Sequence, residues 1–319
     1  MDYQPPFNRT VAIDNLCMEI AELVGSLHPT SELSTNPTLH REIRISTIHS
    51  SLVIEGNHLT CDAVTAIIDG KRVLGPAKDI LEVENARKAY EMLDELNPLS
   101  IDDLLRAHGV MMQGLISDAG LFRSGNVGVF DGENLVHAGT PARYVPEVIS
   151  ELFEWMRSTD LHPLLVSCLF HFEFEFIHPF SDGNGRTGRL WHTFLLSKWR
   201  PVLAWLPLES VILGRQRDYY RALAESDAAG SCEQFVEFML AAIRDALLPY
   251  AKQDGAPNER ENRALSFFER NPKGTVDDLA QVLGCSKRSA ERVVAQLRRA
   301  GRLKREGSAR SGTWVIAGK

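Results

Sequence analysis

The feature that most constrains this chain is a twelve-residue run, HPFSDGNGRTGR, at residues 178–189. His178 can take up or release a proton near neutral pH. Asp182 is a hard oxygen ligand of the kind that Mg²⁺ accepts beside phosphates. In the Gly-Asn-Gly sequence that follows, the glycines carry no Cβ, so the backbone N–H groups of residues 183–185 can turn toward an anion. One short run therefore joins a proton carrier, a metal-type acid and a phosphate-type loop.

Two arginines follow this loop on a predicted helix. The helix is predicted to begin at Arg186, which places the loop amides at its positive end, where a phosphate is favoured. Arg186 and Arg189 are three residues apart, share one helix face and can both reach one polyphosphate. The alternative is a plain Gly-Asn turn between two helices with solvated arginines. The concentration of complementary groups in one run favours the phosphate site.

The run resembles a known signature. It matches the Fic motif, HPFx[D/E]GNGRxxR, at every specified position, and the preceding HFEFEFI is similar to the helix that leads into that motif in Fic proteins. The resemblance extends over residues 39–247. It implies a mainly α fold, with a helical Fic core and a β-hairpin flap. It also implies an enzyme that transfers AMP from Mg²⁺-ATP to a Ser, Thr or Tyr hydroxyl of a protein, the chain itself included.

The resemblance assigns roles to single residues. It implies that His178 is the base, that Asp182 holds Mg²⁺, and that the Asn184 side chain helps the loop amides to hold the phosphates. The implied ATP-binding residues lie in the flap, the loop, the next helix and a later helix, at Val127, Gly128, Val129, Phe130, Gly183, Asn184, Gly185, Arg186, Thr187, Gly188, Arg189 and Tyr219. Tyr219 matches a tyrosine near the adenine, although adjacent tyrosines are also typical of a helix core. Asp227 replaces the relatives' base-contacting Asn, so nucleotide selectivity stays open.

A second signature ends a helix predicted over residues 39–54. By itself the run SLVIEG is a helix stop, because Gly56 tolerates the left-handed conformation, and Glu55 would then be solvated. The run resembles the inhibitory motif [S/T]xxxE[G/N] of Fic proteins, with Ser51, Glu55 and Gly56 at the defining positions. The resemblance implies that Glu55 pairs with Arg189, keeps this arginine from the γ-phosphate and holds the enzyme largely off.

Residues 120–145 change from helical spacing to glycines that alternate with β-branched and aromatic residues, and Asp131-Gly132 is a hairpin signal. In the resemblance this stretch is the flap, with Arg123 and residues 127–130 in its first strand. An exposed hairpin edge could pair with an extended target segment. A plain surface hairpin is the alternative.

Composition limits the location of the protein. No apolar run approaches the ~18 residues of a membrane span, and the N-terminus lacks a basic stretch followed by an apolar one, so we expect neither a membrane protein nor a secretory signal. The five cysteines are scattered without a CxxC pair, which indicates neither a disulfide framework nor a zinc site. This use of cysteine fits a protein of the reducing cytoplasm.

One histidine outside the motif, His108, is interpreted as a packing or surface residue.

The C-terminal tail differs in charge from the rest. Residues 257–319 contain 14 Lys and Arg against 7 Asp and Glu, a net charge of +7 in a chain of net charge −7, so the remainder carries −14. Its three predicted helices and final hairpin are typical of a winged helix, as in modules appended to some bacterial Fic proteins. The basic third helix suits a DNA groove, whereas a protein-docking or dimerisation winged helix is the alternative.

The predicted organisation is an N-terminal segment, an inhibitory helix region, a Fic catalytic core, a linker and a winged-helix domain, at residues 1–38, 39–60, 61–248, 249–257 and 258–319. Two other functions stay open. One is a different Fic chemistry, namely UMP transfer, phosphorylation or AMP removal. The other is a DNA-binding regulator whose Fic body senses ATP. The residues identify neither the target protein nor the oligomeric state, for which a homodimer is one alternative.

Overall fold

The computed structural model describes residues 3–27, 31–131, 134–255, 259–299, 301–307 and 312–316. The prediction of a mainly helical chain is confirmed. Within those ranges the α-helices are α1 Val11–Ser26, α2 Glu32–Thr35, α3 Pro37–Ile54, α4 Cys61–Ile68, α5 Ala77–Glu91, α6 Ile101–Met111, α7 Val145–Ser158, α8 Pro163–Ile177, α9 Asn184–Trp199, α10 Leu208–Gly214, α11 Gln216–Ala229, α12 Glu233–Gly255, α13 Glu259–Arg270, α14 Val276–Leu283 and α15 Lys287–Arg299. The chain divides into two compact units, residues 1–250 and 251–319.

The first unit is built around α8. This helix is apolar on nearly every side, and such a helix has to be buried; Phe170, Phe174 and Ile177 are fully enclosed. His162 begins the helix, because its side chain accepts a hydrogen bond from the Leu164 N–H. α8 packs against α7 and α9. The motif therefore joins two largely buried helices, which fixes its position in the unit.

Helix α3 precedes this core in the chain and carries the second signature. The Asn36 side chain caps α3 by accepting hydrogen bonds from the N–H groups of Thr38 and Leu39, and Pro37 occupies its first turn. α3 packs against α4, α5 and α10. It ends at Ile54, and Gly56 follows with a φ of +87°, as the helix-stop interpretation predicts.

The predicted flap contains two strands, β1 Gly128–Asp131 and β2 Asn134–Ala138. They pair antiparallel, with a bulge between Val129 and Phe130. Arg123 lies outside the first strand, in contrast to the prediction, because its backbone and side chain are bound to the chain around the motif. Gly132, the second residue of the predicted hairpin signal, lies outside the described residues.

The second unit contains α13, α14 and α15, followed by the strands β3 Leu303–Glu306 and β4 Thr313–Ile316, which pair antiparallel. A reciprocal capping box between Thr275 and Asp278 begins α14. The unit has a hydrophobic core of its own, which includes Phe268, Leu297 and Trp314. Its winged-helix assignment stays a prediction.

The predicted linker at residues 249–257 is helical as far as Gly255, because α12 continues through Pro249. Pro249 lies on an exposed face, where water can satisfy the carbonyl that loses its N–H partner. None of the helices in the described ranges is both long and apolar enough to cross a membrane.

Candidate active site

His178 stands at the end of α8 in a left-handed conformation, with φ 53° and ψ 61°. Among the described residues it is the one non-glycine with a positive φ, and strain of this kind is common at functional sites. Its Nδ1 lies 3.3 Å from the Glu175 carbonyl oxygen. Because a carbonyl can only accept, Nδ1 carries the proton of the neutral ring. Nε2 is then the basic nitrogen.

Arg123 holds this strained backbone in place. The buried side chain donates from Nε to the His178 carbonyl at 2.6 Å, from Nη1 to Gly125 at 2.8 Å, and from Nη2 to Thr140. It thereby ties the end of α8 to both ends of the flap. Burial lowers the pKa of Arg123 from its ordinary value. Sequence reasoning assigned Arg123 to a strand and missed this role.

The loop after Asp182 has the predicted turn, and α9 begins at Asn184, two residues before the predicted start. Gly183 has a φ of +84°, and a Cβ there would lie 2.5 Å from the Met112 Sδ. The Asn184 side chain donates to the Phe180 carbonyl and accepts from the Phe180 N–H, both at 2.9 Å. This side chain therefore shapes the loop, and its predicted phosphate contact stays a prediction. The Asn184 backbone N–H lies in the first turn of α9, where a phosphate contact stays a prediction.

His108 supports the same loop from α6. Its Nδ1 accepts from the Gly120 N–H, so its Nε2–H donates to the Asp182 carbonyl, both at 3.0 Å. The ring stacks on Phe180 with centroids 3.6 Å apart. Burial lowers the pKa of His108 to about 4, so the ring is neutral at physiological pH. The packing interpretation of His108 is right about burial but misses these two bonds.

Arg186 is held between two carboxylates. It donates to the Glu82 Oε1 at 3.0 Å and to the Asp182 Oδ1 at 2.9 Å. Glu82, which also accepts from Asn57 at 2.8 Å, was missed as a site residue. The sequence did carry a signal for it. Glu82 lies at helical spacing with Ala86, Ala89 and Leu93, and this apolar spacing predicts a buried helix face.

Asp182 fits the predicted role of a magnesium ligand. Its Oδ1 accepts from the Gly183 N–H at 2.6 Å and from Arg186, and its side chain is 48% exposed. Oδ2 accepts no hydrogen bond from the described residues, so one carboxylate oxygen faces solvent beside the loop. A single carboxylate together with substrate phosphates is the usual way in which proteins hold Mg²⁺. The described residues contain no cluster of three or more His, Cys, Asp or Glu side chains that could hold a metal alone.

Arg189 meets the second signature. It donates from Nη2 to the Glu55 Oε1 at 2.8 Å and to the Ser51 carbonyl at 3.0 Å, and from Nε to the Ser51 Oγ at 3.1 Å. Burial disfavours the charge of Arg189, but the ion pair with Glu55 outweighs it and the pKa of Arg189 is raised. A Cβ on Gly185 would lie 2.2 Å from the Glu55 Oε1. The carboxylate therefore rests on the first turn of α9, where an anion is favoured.

A further buried carboxylate, Glu175, lies beneath this pair. A Cβ on Gly188 would lie 2.9 Å from its Oε1, and the His171 Nε2 lies 3.7 Å from the same atom. Burial raises the pKa of Glu175 to about 8; Arg189 opposes this rise and Glu55 adds to it. Glu175 is therefore largely protonated at neutral pH. The sequence offered no sign of this group except a Glu inside the apolar α8.

The remaining predicted ATP-binding residues have different surroundings. Thr187 is fully buried, and Gly188 packs against Phe174 and Glu175 of α8. Tyr219 is also buried, and its hydroxyl lies 3.0 Å from the His171 Nε2. The neighbouring Tyr220 is 44% exposed. Gly128 begins β1 and Val127 directly precedes it, outside the strand in which it was predicted, and both are half-buried. ATP contacts by these residues, and by Val129 and Phe130 further along β1, stay predictions.

Comparison with known proteins supports the resemblance. Residues 98–196 match the model of the Fic/DOC family. A crystal structure of a Fic family protein from Desulfovibrio desulfuricans G20 is 44% identical, covers 99% of both chains and has a TM-score of 0.75. The chain belongs to the Fic/DOC family. The matched residues include the motif, His108, Arg123 and Glu175, whereas Glu82 and Glu55 precede the matched range.

Curated relatives of this Fic protein are more distant. Protein adenylyltransferase Fic of Nematostella vectensis is 29% identical over 211 residues, which is 62% of this chain and 47% of the relative. A probable protein adenylyltransferase of Aquifex aeolicus is 29% identical over 184 residues, 56% of this chain and 53% of the relative. The chain thus spans about half the length of these relatives. A Fic-domain signalling protein from Bacteroides thetaiotaomicron, 20% identical with a TM-score of 0.61 over 76% of this chain and 97% of its own, shares the fold.

Proposed function

We propose that this Fic protein transfers AMP from Mg²⁺-ATP to a hydroxyl group of a protein. The observation that carries the proposal is the convergence of His178, the loop amides, Arg186 and Arg189 at the start of one helix. Relatives named protein adenylyltransferase, including those of Nematostella vectensis and Caenorhabditis elegans, support the reaction.

In the proposed reaction, the Nε2 of His178 takes the proton of the target hydroxyl. The hydroxyl oxygen forms a bond to the α-phosphorus, and the bond from that phosphorus to the bridging oxygen of the β-phosphate breaks. Pyrophosphate leaves with the bonding electron pair. The amides of residues 183–185 and the two arginines stabilise the negative charge that moves to the leaving group. Asp182 would hold Mg²⁺, which when bound neutralises phosphate charge.

We infer that Glu55 inhibits this reaction. Its carboxylate pairs with the arginine that the γ-phosphate needs and lies beside Gly185 at the start of α9. Two anions cannot share that position without strong repulsion. ATP would therefore bind with its phosphates displaced while Glu55 stays in place, and the rate of transfer would be low.

The test is incorporation of label from α-³²P-ATP with Mg²⁺ in four proteins: wild type, Glu55→Gly, His178→Ala and the double mutant. We expect strong self-labelling in Glu55→Gly and background labelling in the double mutant. Equal labelling of wild type and Glu55→Gly would reject inhibition by Glu55. Persistent labelling of the double mutant would reject His178 as the base.

The same four proteins distinguish AMP transfer from the other Fic reactions. α-³²P-UTP in place of ATP tests UMP transfer, and release of AMP from a pre-labelled protein tests removal. Asp227, at the position where relatives carry an Asn, is the reason to include the uridine nucleotide. The flap strands support an extended segment as the target, because main-chain pairing with a hairpin edge would hold a hydroxyl near His178.

We also propose that the second unit binds DNA. Arg288, Arg292, Gln296 and Arg299 recur at helical spacing along α15 and are exposed, whereas Val293 and Leu297 are buried in the core. A basic helix face of this kind suits a DNA groove. Fluorescence anisotropy with a short duplex should show binding that weakens as salt rises and weakens further in Arg288→Gln/Arg292→Gln. Arg106→Gln is the control and should bind like the wild type. Equally tight binding by Arg288→Gln/Arg292→Gln would favour protein docking by this unit.

A further inference from the structure

A cavity of about 500 Å³, lined by both charged and apolar side chains, lies against the N-terminal half of α3. Its walls come from α3, α4, α5, α9 and the 3-10 turns Met92–Glu95 and Pro201–Trp205, and none of its lining residues belongs to the motif. Three of the lining residues are arginines, namely Arg41, Arg44 and Arg87. Arg44 lies on the same helix as Ser51 and Glu55. The cavity therefore borders the inhibitory helix at a place distinct from the site described above.

The side chain of Arg44 is held rigidly at this cavity. Its Cζ lies 4.6 Å from the ring centroid of Tyr90 and 4.9 Å from that of Trp205, and the His40 ring stacks on Trp205 with centroids 4.1 Å apart. Stacking on aromatic faces fixes a guanidinium while leaving its edge, with five N–H donors, directed to acceptors. Burial lowers the pKa of Arg44 from its ordinary value, so its charge is partly shielded from water.

Arg44 differs from its two neighbours because it pairs directly with no carboxylate among the described residues, although the charges of Glu209, Asp94 and Glu91 act on it from farther away. Arg41 pairs with Asp69, and Arg87 donates to both oxygens of Glu91 at 2.7 Å. In the part of the chain that the structure describes, Arg44 makes ring contacts but has no hydrogen bond and no carboxylate oxygen within 4.0 Å. A half-buried cation without an acceptor, at the wall of a cavity, favours an anionic occupant.

The remaining wall limits the kind of anion. Glu91 and Asp94 also line the cavity, so a ligand with several acidic groups would be repelled at that wall. Ile45, Ile48 and Ile68 supply an apolar surface. These features fit a small molecule that has one carboxylate or phosphate group and an apolar part. The cavity volume is within the range of ordinary small-molecule sites.

We propose that this cavity binds such a small organic anion through Arg44, and that the occupant holds α3, and with it Glu55, in the inhibitory position. An anion shared by Arg44 of α3 and Arg87 of α5 would link the two helices. The path to the motif is short, because Tyr90 donates to Glu209 at 3.2 Å and Thr193 of α9 donates to the same oxygen at 3.1 Å. The proposed effect on Glu55 rests on the proposed function, whereas the proposed binding of an anion by Arg44 does not.

Calorimetry on the full chain tests binding, with phenyl phosphate and benzoate as probes. We expect Arg44→Gln to weaken binding about tenfold or more, because one charge-assisted contact is lost. Asp94→Asn should strengthen binding, and Arg106→Gln, an exposed arginine elsewhere, should leave it unchanged. Absence of binding by both probes, or equal affinity in Arg44→Gln, would overturn the proposal.

Hydrogen exchange of the α3 amides tests the second part without using catalysis. Saturating phenyl phosphate should slow exchange in α3 of wild type but not in Arg44→Gln, provided that circular dichroism shows both proteins folded. Binding with unchanged α3 exchange would overturn the holding role. Failure of AMP transfer would leave both measurements valid, so the two proposals fail separately.

Discussion

At the scale of single residues, Glu55 and Arg189 form an unequal pair. The Arg189 side chain is 1% exposed, whereas that of Glu55 is 27% exposed. A buried guanidinium needs an anion, but a carboxylate at the surface can turn into water. The inhibition proposed above requires that Arg189 exchange Glu55 for a phosphate. The difference in exposure between the two side chains fits that requirement.

Replacing Glu55 with Gln should lower the stability of the protein. The variant keeps the side-chain volume but leaves the buried Arg189 without a counter-charge, which should cost about 1–3 kcal/mol, given that Glu55 is partly solvated. Glu95→Gln is the matched control, because Glu95 pairs with Arg106 at 3.1 Å on the surface and should lose less than about 0.5 kcal/mol. Urea denaturation measures both; equal losses would contradict the account.

Glu175 predicts a pH dependence. Its pKa is about 8 in the folded chain against an ordinary value of 4.5, so between these values the folded state holds a proton that the unfolded state has released. Stability is therefore lost as pH rises from 4.5 to 8, by about 1.4 kcal/mol per unit. Glu175→Gln should lack this loss. The difference in free energy of unfolding between wild type and variant, measured from pH 5 to 7.5, should change with that sign; a constant difference would disprove the assignment.

At the scale of elements, the loop between α8 and α9 depends on close approach. Gly183 has a positive φ and faces the buried Met112, whereas Gly214, at the end of α10, has nothing within 4 Å of its added Cβ. Gly183→Ala should cost about 1–3 kcal/mol through strain and overpacking and should abolish labelling in the Glu55→Gly background. Gly214→Ala is the control and should be neutral or slightly stabilising. Similar unfolding midpoints for the two variants would contradict this role.

The elements were predictable to different degrees. The helix predicted over residues 39–54 agrees closely with α3, Pro37–Ile54, because its apolar residues form a continuous buried face. α10 was missed, since seven residues give too few turns to establish a period. The end of α12 was also misplaced, because Pro249 reads as a breaker in sequence but occurs on an exposed face of the helix.

The residues of the candidate site were also predictable to different degrees. The motif predicted its charged groups because they are close in sequence and form a recognisable pattern. His108, Glu82 and Arg123 lie 55 to 104 residues from their partners in the motif. Contacts over such separations depend on tertiary packing, which local periodicity does not encode.

At the scale of the whole molecule, the chain has two units with separate hydrophobic cores. Leu297 is 1% exposed in the second core, so Leu297→Ala should cost about 2–5 kcal/mol in that unit. Calorimetry should show one shifted transition, and labelling in the Glu55→Gly background should persist. Loss of labelling, in a protein whose first unit stays folded, would show that catalysis needs the second unit.

The central claim is that the α-phosphate of ATP reaches a protein hydroxyl once Glu55 is removed. The most direct measurement compares Glu55→Gly after incubation with α-³²P-ATP and with γ-³²P-ATP under identical conditions, followed by denaturing electrophoresis. The protein should retain the α label and none of the γ label, because pyrophosphate leaves. Retention of the γ label alone would mean phosphorylation and would contradict AMP transfer by this Fic protein.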